Sequence, residues 1–338
     1  SLTAIHVDPA NLRLMSDDGV LYSFHGEVRA LIRYPAAKPA ASFSVSASTR
    51  EIAAEAFSGS QNLTSVSFPD RTLLDNLGYP WIEVKSRAFS NCTGLTSVFL
   101  PASVRFRFYD APARNQNQER ANPDNSFPFS GCTNLTAIHV APDHFEYSSI
   151  DGVLFDKEQD ILIQFPQGRG GHYSIPGSVT KIGWTSYNYE AYGGPDGKRT
   201  DYHGAFDGCA HLTSVRIPQG VTWLGQETFR GCRALTTVVL PSGMRAFAEE
   251  RQYFMLGRFL VQSDYSPEGS GAFADCSSLE SVLFLGDAPT GVPPRGGTTR
   301  LGCRAWAPVR PDATVPRGWA AGVIAGSLII GVSSFGQP

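Results

Sequence analysis

A short pattern of residues at fixed spacing recurs along the 338-residue chain and limits the possible folds more than any other feature. The pattern runs Phe, two residues, Cys, two residues, Leu, two residues, Val, one residue, an aliphatic residue and Pro, and its clearest copy spans residues 229–241. Further copies, some of them without the proline, begin at Phe57, Phe89, Phe129, Phe206 and Phe273. Such self-similarity indicates a repeat protein, in which each coil buries its apolar face against its neighbours.

The end of each copy predicts a short β-strand. In residues 95–101, apolar side chains alternate with Ser97 and Phe99, which is the period of a strand with one buried face. The proline that follows has no N–H to donate and ends the strand. Equivalent strands of stacked coils are expected to pair in parallel. The outward side of the resulting sheet would then carry Phe99, His139 and Arg216 as its main contact residues.

Five of the six cysteines occupy one position of the pattern: Cys92, Cys132, Cys209, Cys232 and Cys276. A repeated position places one thiol per coil in the core, where it packs as a small apolar group. Ser60 fills this position in a sixth copy, so the fold does not require a thiol there. Side chains at equivalent positions of stacked coils are parallel and do not face each other as a disulfide requires. We therefore predict free, buried thiols.

A longer duplication lies over the short pattern, with an offset of 133 residues. The matching segments are residues 2–7 with 135–140, and residues 18–22 with 151–155. The Asp-Gly pair in each copy predicts a tight turn that enters a β-hairpin. We assign residues 1–285 to one repeat domain that contains the duplicated block, 1–100 and 134–240, and residues 286–338 to a C-terminal cap or tail.

Four long insertions separate the end of one strand from the phenylalanine that restarts the pattern: residues 70–87, 105–128, 184–203 and 248–271. They are rich in aromatic residues, which is unlike a flexible linker. We expect them to be ordered and to form one wall beside the sheet. The candidate binding residues in this wall are Tyr109, Tyr187, Tyr192, His203 and Tyr253. Aromatic rings of this kind can stack on sugar or polymer rings.

Composition argues against several classes of protein. A formal net charge of −3 and a pI near 6.2 give no general attraction to nucleic acid or anionic membranes. The basic stretch that begins at Arg105 is expected to be a solvated loop. Residues 319–332 are uncharged but fewer than the roughly 20 that a membrane-spanning helix needs, so we predict an end-capping element. The chain starts inside a repeat and without a signal peptide, which predicts a piece of a longer protein.

Residues 205–218 read Ala-Phe-Asp-Gly-Cys-Ala-His-Leu-Thr-Ser-Val-Arg-Ile-Pro. This segment and the Asp-Gly-Val-Leu-Phe block at 151–155 resemble the BspA-like (Treponema pallidum type) leucine-rich repeat family of surface proteins. The resemblance implies a right-handed solenoid with a parallel β-sheet on one face, mostly strand and loop, interrupted by hairpin blocks and insertions. It also implies a secreted or cell-surface protein, usually not an enzyme, that binds other surfaces.

Two functions remain open at this stage. The first is an adhesion module, a monomer without cofactor or metal, that recognises proteins or glycans through the strand face and the aromatic insertions. The second is a hydrolase with a site built chiefly from residues 184–203, where Tyr, Asp, Glu and His occur close together. The sequence has no nucleophile elbow, zinc-protease motif or P-loop, and no catalytic residue is assigned. A third, weaker possibility is a purely structural spacer.

Overall fold

The computed structural model of the chain consists of short β-strands and loops, with no helix among the residues that it describes. These are residues 2–25, 28–70, 81–107, 127–187, 200–224, 228–243, 246–247, 252–256, 259–263, 272–273, 275–285, 306–308, 319–324 and 327–332. The chain divides into two compact units, Ser1–Glu158 with Pro166–Arg169, and Gln159–Phe165 with Gly170–Pro338. The proposed single repeat domain over residues 1–285 with a terminal cap stays a prediction.

The first unit pairs strands of the repeat pattern on one side and strands of the returning segments on the other. Its strands are β1 (Leu14–Asp17), β2 (Val20–His25), β3 (Val28–Arg33), β4 (Ser42–Ser44), β5 (Thr49–Ile52), β6 (Ser65–Ser67), β7 (Ile82–Lys85), β8 (Ser97–Leu100), β9 (Val104–Arg107), β10 (Ala137–Val140), β11 (Tyr147–Ile150) and β12 (Val153–Asp156). The pattern strands pair in parallel, β4 with β6 and β8 with β10. The returning strands form the sheet β1-β2-β3-β5-β7-β9, parallel from β3 onward.

The second unit repeats this arrangement. Its strands are β13 (Ile161–Gln164), β14 (Gly171–Ser174), β15 (Lys181–Ile182), β16 (Trp184–Tyr187), β17 (Thr200–His203), β18 (Leu212–Arg216), β19 (Trp223–Leu224), β20 (Thr237–Leu240), β21 (Ala246–Phe247), β22 (Gln252–Leu256), β23 (Phe259–Ser263), β24 (Ser281–Phe284), β25 (Trp306–Pro308), β26 (Trp319–Ile324) and β27 (Ser327–Val332). The sheet β14-β18-β20-β24-β27-β26-β25 is parallel from β14 to β27. The predicted parallel pairing of equivalent strands is confirmed.

The uncharged segment near the C-terminus contributes the antiparallel hairpin of β26 and β27. In addition, β27 pairs in parallel with the pattern strand β24. Within the described residues, no helix is long and apolar enough to cross a membrane.

Both copies of the duplicated block contain the predicted tight turn at Asp-Gly, between β1 and β2 and between β11 and β12. Asp18 and Gly19 have φ angles of 47° and 73°, and Asp151 and Gly152 have φ angles of 50° and 77°. Positive φ at both central residues is the type I′ geometry, which matches the twist of the flanking strands. A Cβ on Gly152 would lie 2.7 Å from the Cβ of Ala137, so this glycine is also needed for close packing.

The core of each unit is a column of stacked aromatic rings, one per coil. In the first unit the column is Tyr34, Phe57, Phe89 and Phe129, with centroid separations of 5.0, 4.7 and 5.4 Å. In the second it is Phe165, Phe206, Phe229 and Phe273, with separations of 5.1, 4.9 and 5.3 Å. All eight side chains are at most 1% exposed. Rings from the strands pack edge-on against the columns, as Phe106 of β9 does against Phe129.

The cysteine of each coil bonds to the phenylalanine of the coil before it. The thiol of Cys92 donates to the carbonyl oxygen of Phe57 at 3.0 Å, and the thiol of Cys132 to that of Phe89 at 3.0 Å. The same bond occurs for Cys209, Cys232 and Cys276, at 3.7, 3.1 and 3.0 Å. All five thiols are free and buried, which confirms the prediction. Cys303 lies outside the described residues.

Ser60 is the exception to this bonding scheme. Its hydroxyl is buried and has no hydrogen-bond partner among the described residues. The equivalent acceptor would be the carbonyl of Tyr34, and a serine side chain is shorter than a cysteine side chain. A buried hydroxyl without a partner destabilises a fold by about 1–3 kcal/mol. The coil that starts at Phe57 is therefore bonded less well to its predecessor than the others.

Replacing Phe229 by alanine should lower the free energy of unfolding by about 3–5 kcal/mol, because the ring is fully buried and stacked on both sides. Urea denaturation followed by circular dichroism measures the change. The matched control is Phe99→Ala, at a side chain that is 54% exposed, where the loss should stay within about 0.5 kcal/mol. A loss below about 1 kcal/mol for Phe229→Ala would show that the column is not the core.

Replacing Ser60 by cysteine should stabilise the first unit by about 1 kcal/mol, because the longer side chain can donate to the carbonyl of Tyr34. The reverse change, Cys92→Ser, should destabilise it by about 1–3 kcal/mol, since it creates a second buried hydroxyl without a partner. Both are measured as shifts of the urea midpoint. If the two substitutions change stability in the same direction, the thiol–carbonyl bond is not the reason for cysteine at this position.

Candidate binding surface

The strand face of the first unit brings together two of the predicted contact residues. Strands β8 and β10 pair with Phe99 opposite His139, and with the buried Val98 opposite the buried Ile138. Side chains alternate along a strand, so Phe99 and His139 both point outward as neighbours about 4.8 Å apart. Phe99 is 54% exposed, and His139 is exposed as well.

The surroundings of this pair are small and hydroxylic. The other outward residues of β4, β6 and β8 are Ser42, Ser44, Ser65, Ser67 and Ser97. The hydroxyl of Ser67 donates to that of Ser44 at 2.9 Å, which joins β4 and β6 on their outer side as well. A single large ring on a flat, polar face can stack on the apolar face of a sugar or on an apolar protein side chain.

The strand face of the second unit carries the third predicted contact residue, Arg216, together with a histidine that the sequence did not single out. Strands β14 and β18 pair with His172 opposite Ser214 and Ser174 opposite Arg216. The imidazole of His172 lies 2.7 Å from the Ser214 hydroxyl through Nδ1 and 3.0 Å from the Ser174 hydroxyl through Nε2. His172, Ser174 and Arg216 are exposed.

His172 was missed because its strand lacks the Phe, Cys and Leu of the pattern. The end of the pattern is nevertheless present, since Tyr173 and Ile175 followed by Pro176 match Val215 and Ile217 followed by proline. That alternation alone would have identified β14 as a pattern strand and His172 as an outward residue.

Arg105 does not lie on a solvated loop, as the sequence suggested, but in β9 within an aromatic cluster. Its guanidinium lies 4.3 Å from the ring centroid of Trp81 and 4.8 Å from that of Phe145. The Nε atom donates to a carboxylate oxygen of Glu146 at 2.9 Å, and an Nη atom donates to the same oxygen. Ring faces and a carboxylate together satisfy a guanidinium, so this cluster ties β9 to the segment that precedes β11.

His144 fixes the backbone next to this cluster. Its side chain is fully buried, and Nε2 donates to the carbonyl of Val104 at 2.9 Å. Nδ1 accepts the backbone N–H groups of Glu146 and Tyr147 at 3.1 and 3.0 Å, which defines the neutral Nε2–H tautomer. Burial lowers the pKa of His144 below its ordinary value.

Five binding residues were predicted in the insertions, and the structure describes the backbone of three of them and the side chain of none. Tyr109 and Tyr192 lie outside the described residues. Tyr187, His203 and Tyr253 belong to strands, but their side chains lie outside what the structure describes. Parts of two insertions form antiparallel hairpins, β16 with β17 and β22 with β23. The common wall and the hydrolase site at 184–203 therefore stay predictions.

Among the side chains that the structure describes, no three His, Cys, Asp or Glu residues lie close enough together to hold a metal ion. The two strand faces are exposed and carry isolated aromatic and basic side chains, Phe99 and His139 on the first unit and His172 and Arg216 on the second.

A family model described as the BspA-type leucine-rich repeat region matches the chain in six copies, over residues 36–119, 76–165 and 200–287. These ranges cover the repeat pattern in both units and more than half of the chain. The match confirms the resemblance and the fold class that the sequence predicted. The sequence has no significant match among curated proteins.

Solved structures of bacterial leucine-rich repeat proteins are similar to the chain. A leucine-rich cell surface protein from Faecalibacterium prausnitzii is 20% identical with a TM-score of 0.41; the match covers 72% of this chain and 53% of that protein. The T. pallidum leucine-rich repeat protein is 22% identical with a TM-score of 0.35, over 65% of this chain and 78% of that one. The pneumococcal vaccine antigen PcpA is 14% identical with a TM-score of 0.34, over 83% and 82%.

Acidification should weaken the fold through His144. Because burial lowers its pKa in the folded state, the unfolded chain binds the proton more readily. The contribution of neutral His144 is complete above about pH 6.5 and is lost below it, by up to about 1.4 kcal/mol per pH unit. Urea unfolding between pH 7.5 and 5.5 measures the slope. His144→Asn keeps an acceptor for the two N–H groups without titrating, and should reduce the slope; an equal slope in both proteins would contradict this role.

Proposed function

Since the chain belongs to the BspA-type leucine-rich repeat family, we propose that it is a binding module of a bacterial cell surface that recognises proteins or glycans through its strand faces. The observation that carries this proposal is the position of Phe99. A ring that is 54% exposed stands beside the exposed His139, on a face that otherwise presents small hydroxylic side chains. Exposed aromatic side chains on rigid surfaces are frequent anchors of binding energy.

Comparison of the copies within the chain supports a role of the outward positions in binding. The position of Phe99 is occupied by serine, histidine, arginine, valine or leucine in the other copies: Ser67, His139, Arg216, Val239 and Leu283. The inward position of the same strands is always apolar and buried, as at Val98, Ile138 and Val238. Core packing thus restricts the residue type at the inward position only, and the residue type at the outward position can vary to fit a ligand.

Rigidity of the strand face favours tight recognition. Each pattern strand is held by backbone hydrogen bonds to an equivalent strand, and its inner side chains are packed in the core. The backbone of the contact residues is therefore fixed in position before a ligand arrives. Binding to such a surface loses little conformational entropy, which leaves more of the contact energy as affinity.

Replacing Phe99 by alanine should weaken binding by at least about tenfold, or about 1.4 kcal/mol, because it removes the only large ring described on this face. Binding is measured by interferometry against host matrix proteins, cell-wall preparations and a glycan panel. The control is Leu12→Ala, which removes an exposed apolar side chain outside the strands and should leave affinity unchanged. Thermal unfolding verifies that both variants are folded.

Two results would contradict the proposal. The first is the absence of binding above background to all three groups of ligand. The second is binding that persists in both Phe99→Ala and His139→Ala, which would place the site away from the strand face of the first unit.

A further inference from the structure

The strand face of the second unit contains a compact set of polar groups at the start of its sheet. His172 and Ser174 of β14 alternate with the buried Tyr173, and Ser214 and Arg216 of β18 lie directly opposite them. The four outward side chains therefore occupy the corners of one small patch. Strand spacing and residue rise place the corners about 5 Å apart across strands and about 7 Å apart along them.

The hydrogen bonds of His172 leave donors free for a ligand. Its two ring nitrogens contact the hydroxyls of Ser214 and Ser174 at 2.7 and 3.0 Å. A neutral imidazole donates through one nitrogen only, so at least one serine accepts from it and keeps its own O–H for another partner. A protonated imidazole donates through both nitrogens, so both serine O–H groups are then free. The patch offers hydroxyl donors in either state and adds positive charge in the second.

Arg216 gives the patch a permanent positive charge. It is exposed, and among the described residues it forms no ion pair. The neighbouring coil shows the contrasting case, because Arg230 donates to both carboxylate oxygens of Asp207 at 2.9 and 2.7 Å. A guanidinium whose planar donors are not engaged by a protein carboxylate is suited to an external oxyanion.

Beyond this patch, the sheet continues with hydroxyls in one row and apolar side chains in the next. Ser214 is followed across the strands by Thr237 and Ser281, whose hydroxyls lie 3.1 Å apart. Arg216 is followed by the half-exposed Val239 and Leu283. A ligand lying across the strands thus contacts the charged patch first. It then contacts the hydroxyl row of Thr237 and Ser281 beside the apolar strip of Val239 and Leu283.

We propose that this surface binds an acidic sugar, with a carboxylate or sulfate oxygen held by Arg216 and by a serine hydroxyl that His172 positions. The inference rests on the proposed function and specifies its ligand at the second unit. A sugar ring presents hydroxyls on its edge and C–H groups on its face, which fits the hydroxyl row and the apolar strip beside it. An acidic peptide fits less well, because it lacks the ring hydroxyls that match the row of Ser214, Thr237 and Ser281.

The test uses titration of the whole chain with 3′-sialyllactose and with 3′-sulfated lactose, each compared with unmodified lactose. Both acidic sugars, or one of them, should bind at millimolar concentration or tighter, and lactose should bind at least about tenfold more weakly. The variants Arg216→Ala and His172→Ala should each weaken the acidic sugar by about tenfold. Arg233→Ala, which removes an exposed arginine of the same unit outside the patch, should change affinity by less than about twofold.

Three outcomes would overturn the inference: equal binding of lactose, equal weakening by Arg216→Ala and Arg233→Ala, or binding of a glutamate-rich peptide without binding of either acidic sugar. All variants replace exposed side chains, and their thermal unfolding should match that of the wild type. If no acidic sugar binds while Phe99-dependent binding persists, only this inference fails. If acidic sugars bind and Phe99→Ala has no effect on any ligand, the assignment of the first unit's face fails instead.

Discussion

Both backbone groups of the core phenylalanine take part in bonds between coils, and the rest of the structure depends on them. The N–H of Phe89 donates to the carbonyl of Pro128 in the next coil at 2.8 Å, and its own carbonyl accepts the thiol of Cys132. The same scheme recurs at Phe206, whose N–H donates to Thr228 and whose carbonyl accepts Cys232. These bonds occur at the buried corner of each coil, where an unpaired backbone group would be costly.

This corner explains why phenylalanine and cysteine recur together. The rings stack at 4.7 to 5.4 Å, close to the spacing of neighbouring strands, so ring stacking and strand pairing do not compete. The thiol is small enough for the space beside the ring and long enough to reach the carbonyl. Serine meets only the first condition, as Ser60 shows. With the interior fixed in this way, outward residues such as Phe99 and Arg216 vary from coil to coil without loss of packing.

Sequence reasoning succeeded where structure follows from local periodicity. The pattern strands, the Asp-Gly turns and the buried thiols each depend on residues within one coil and on its regular repetition. It failed where one contact joins distant positions. Arg105 is held by Trp81, 24 residues earlier, and by Glu146, 41 residues later, and no period connects the three. His172 was missed because its strand keeps only the end of the pattern. The insertions do not repeat, so their composition could be read from the sequence but the positions of their side chains could not.

The thiol column affects how such a chain withstands an oxidising environment. Hydrogen bonding to the sulfur of the preceding coil, together with burial, raises the pKa of Cys132, Cys232 and Cys276, whereas the hydrogen bond with Cys132 lowers the pKa of Cys92. Burial shields all five thiols, and the raised pKa of three of them further disfavours the reactive thiolate, so the folded protein resists oxidation without any cross-link. An unfolded chain exposes several ordinary thiols at once, and these can form mispaired disulfides that block the return of the stack. Where such disulfides form, unfolding is irreversible, and the lifetime of the protein under oxidising conditions is set by its unfolding rate rather than by its equilibrium stability.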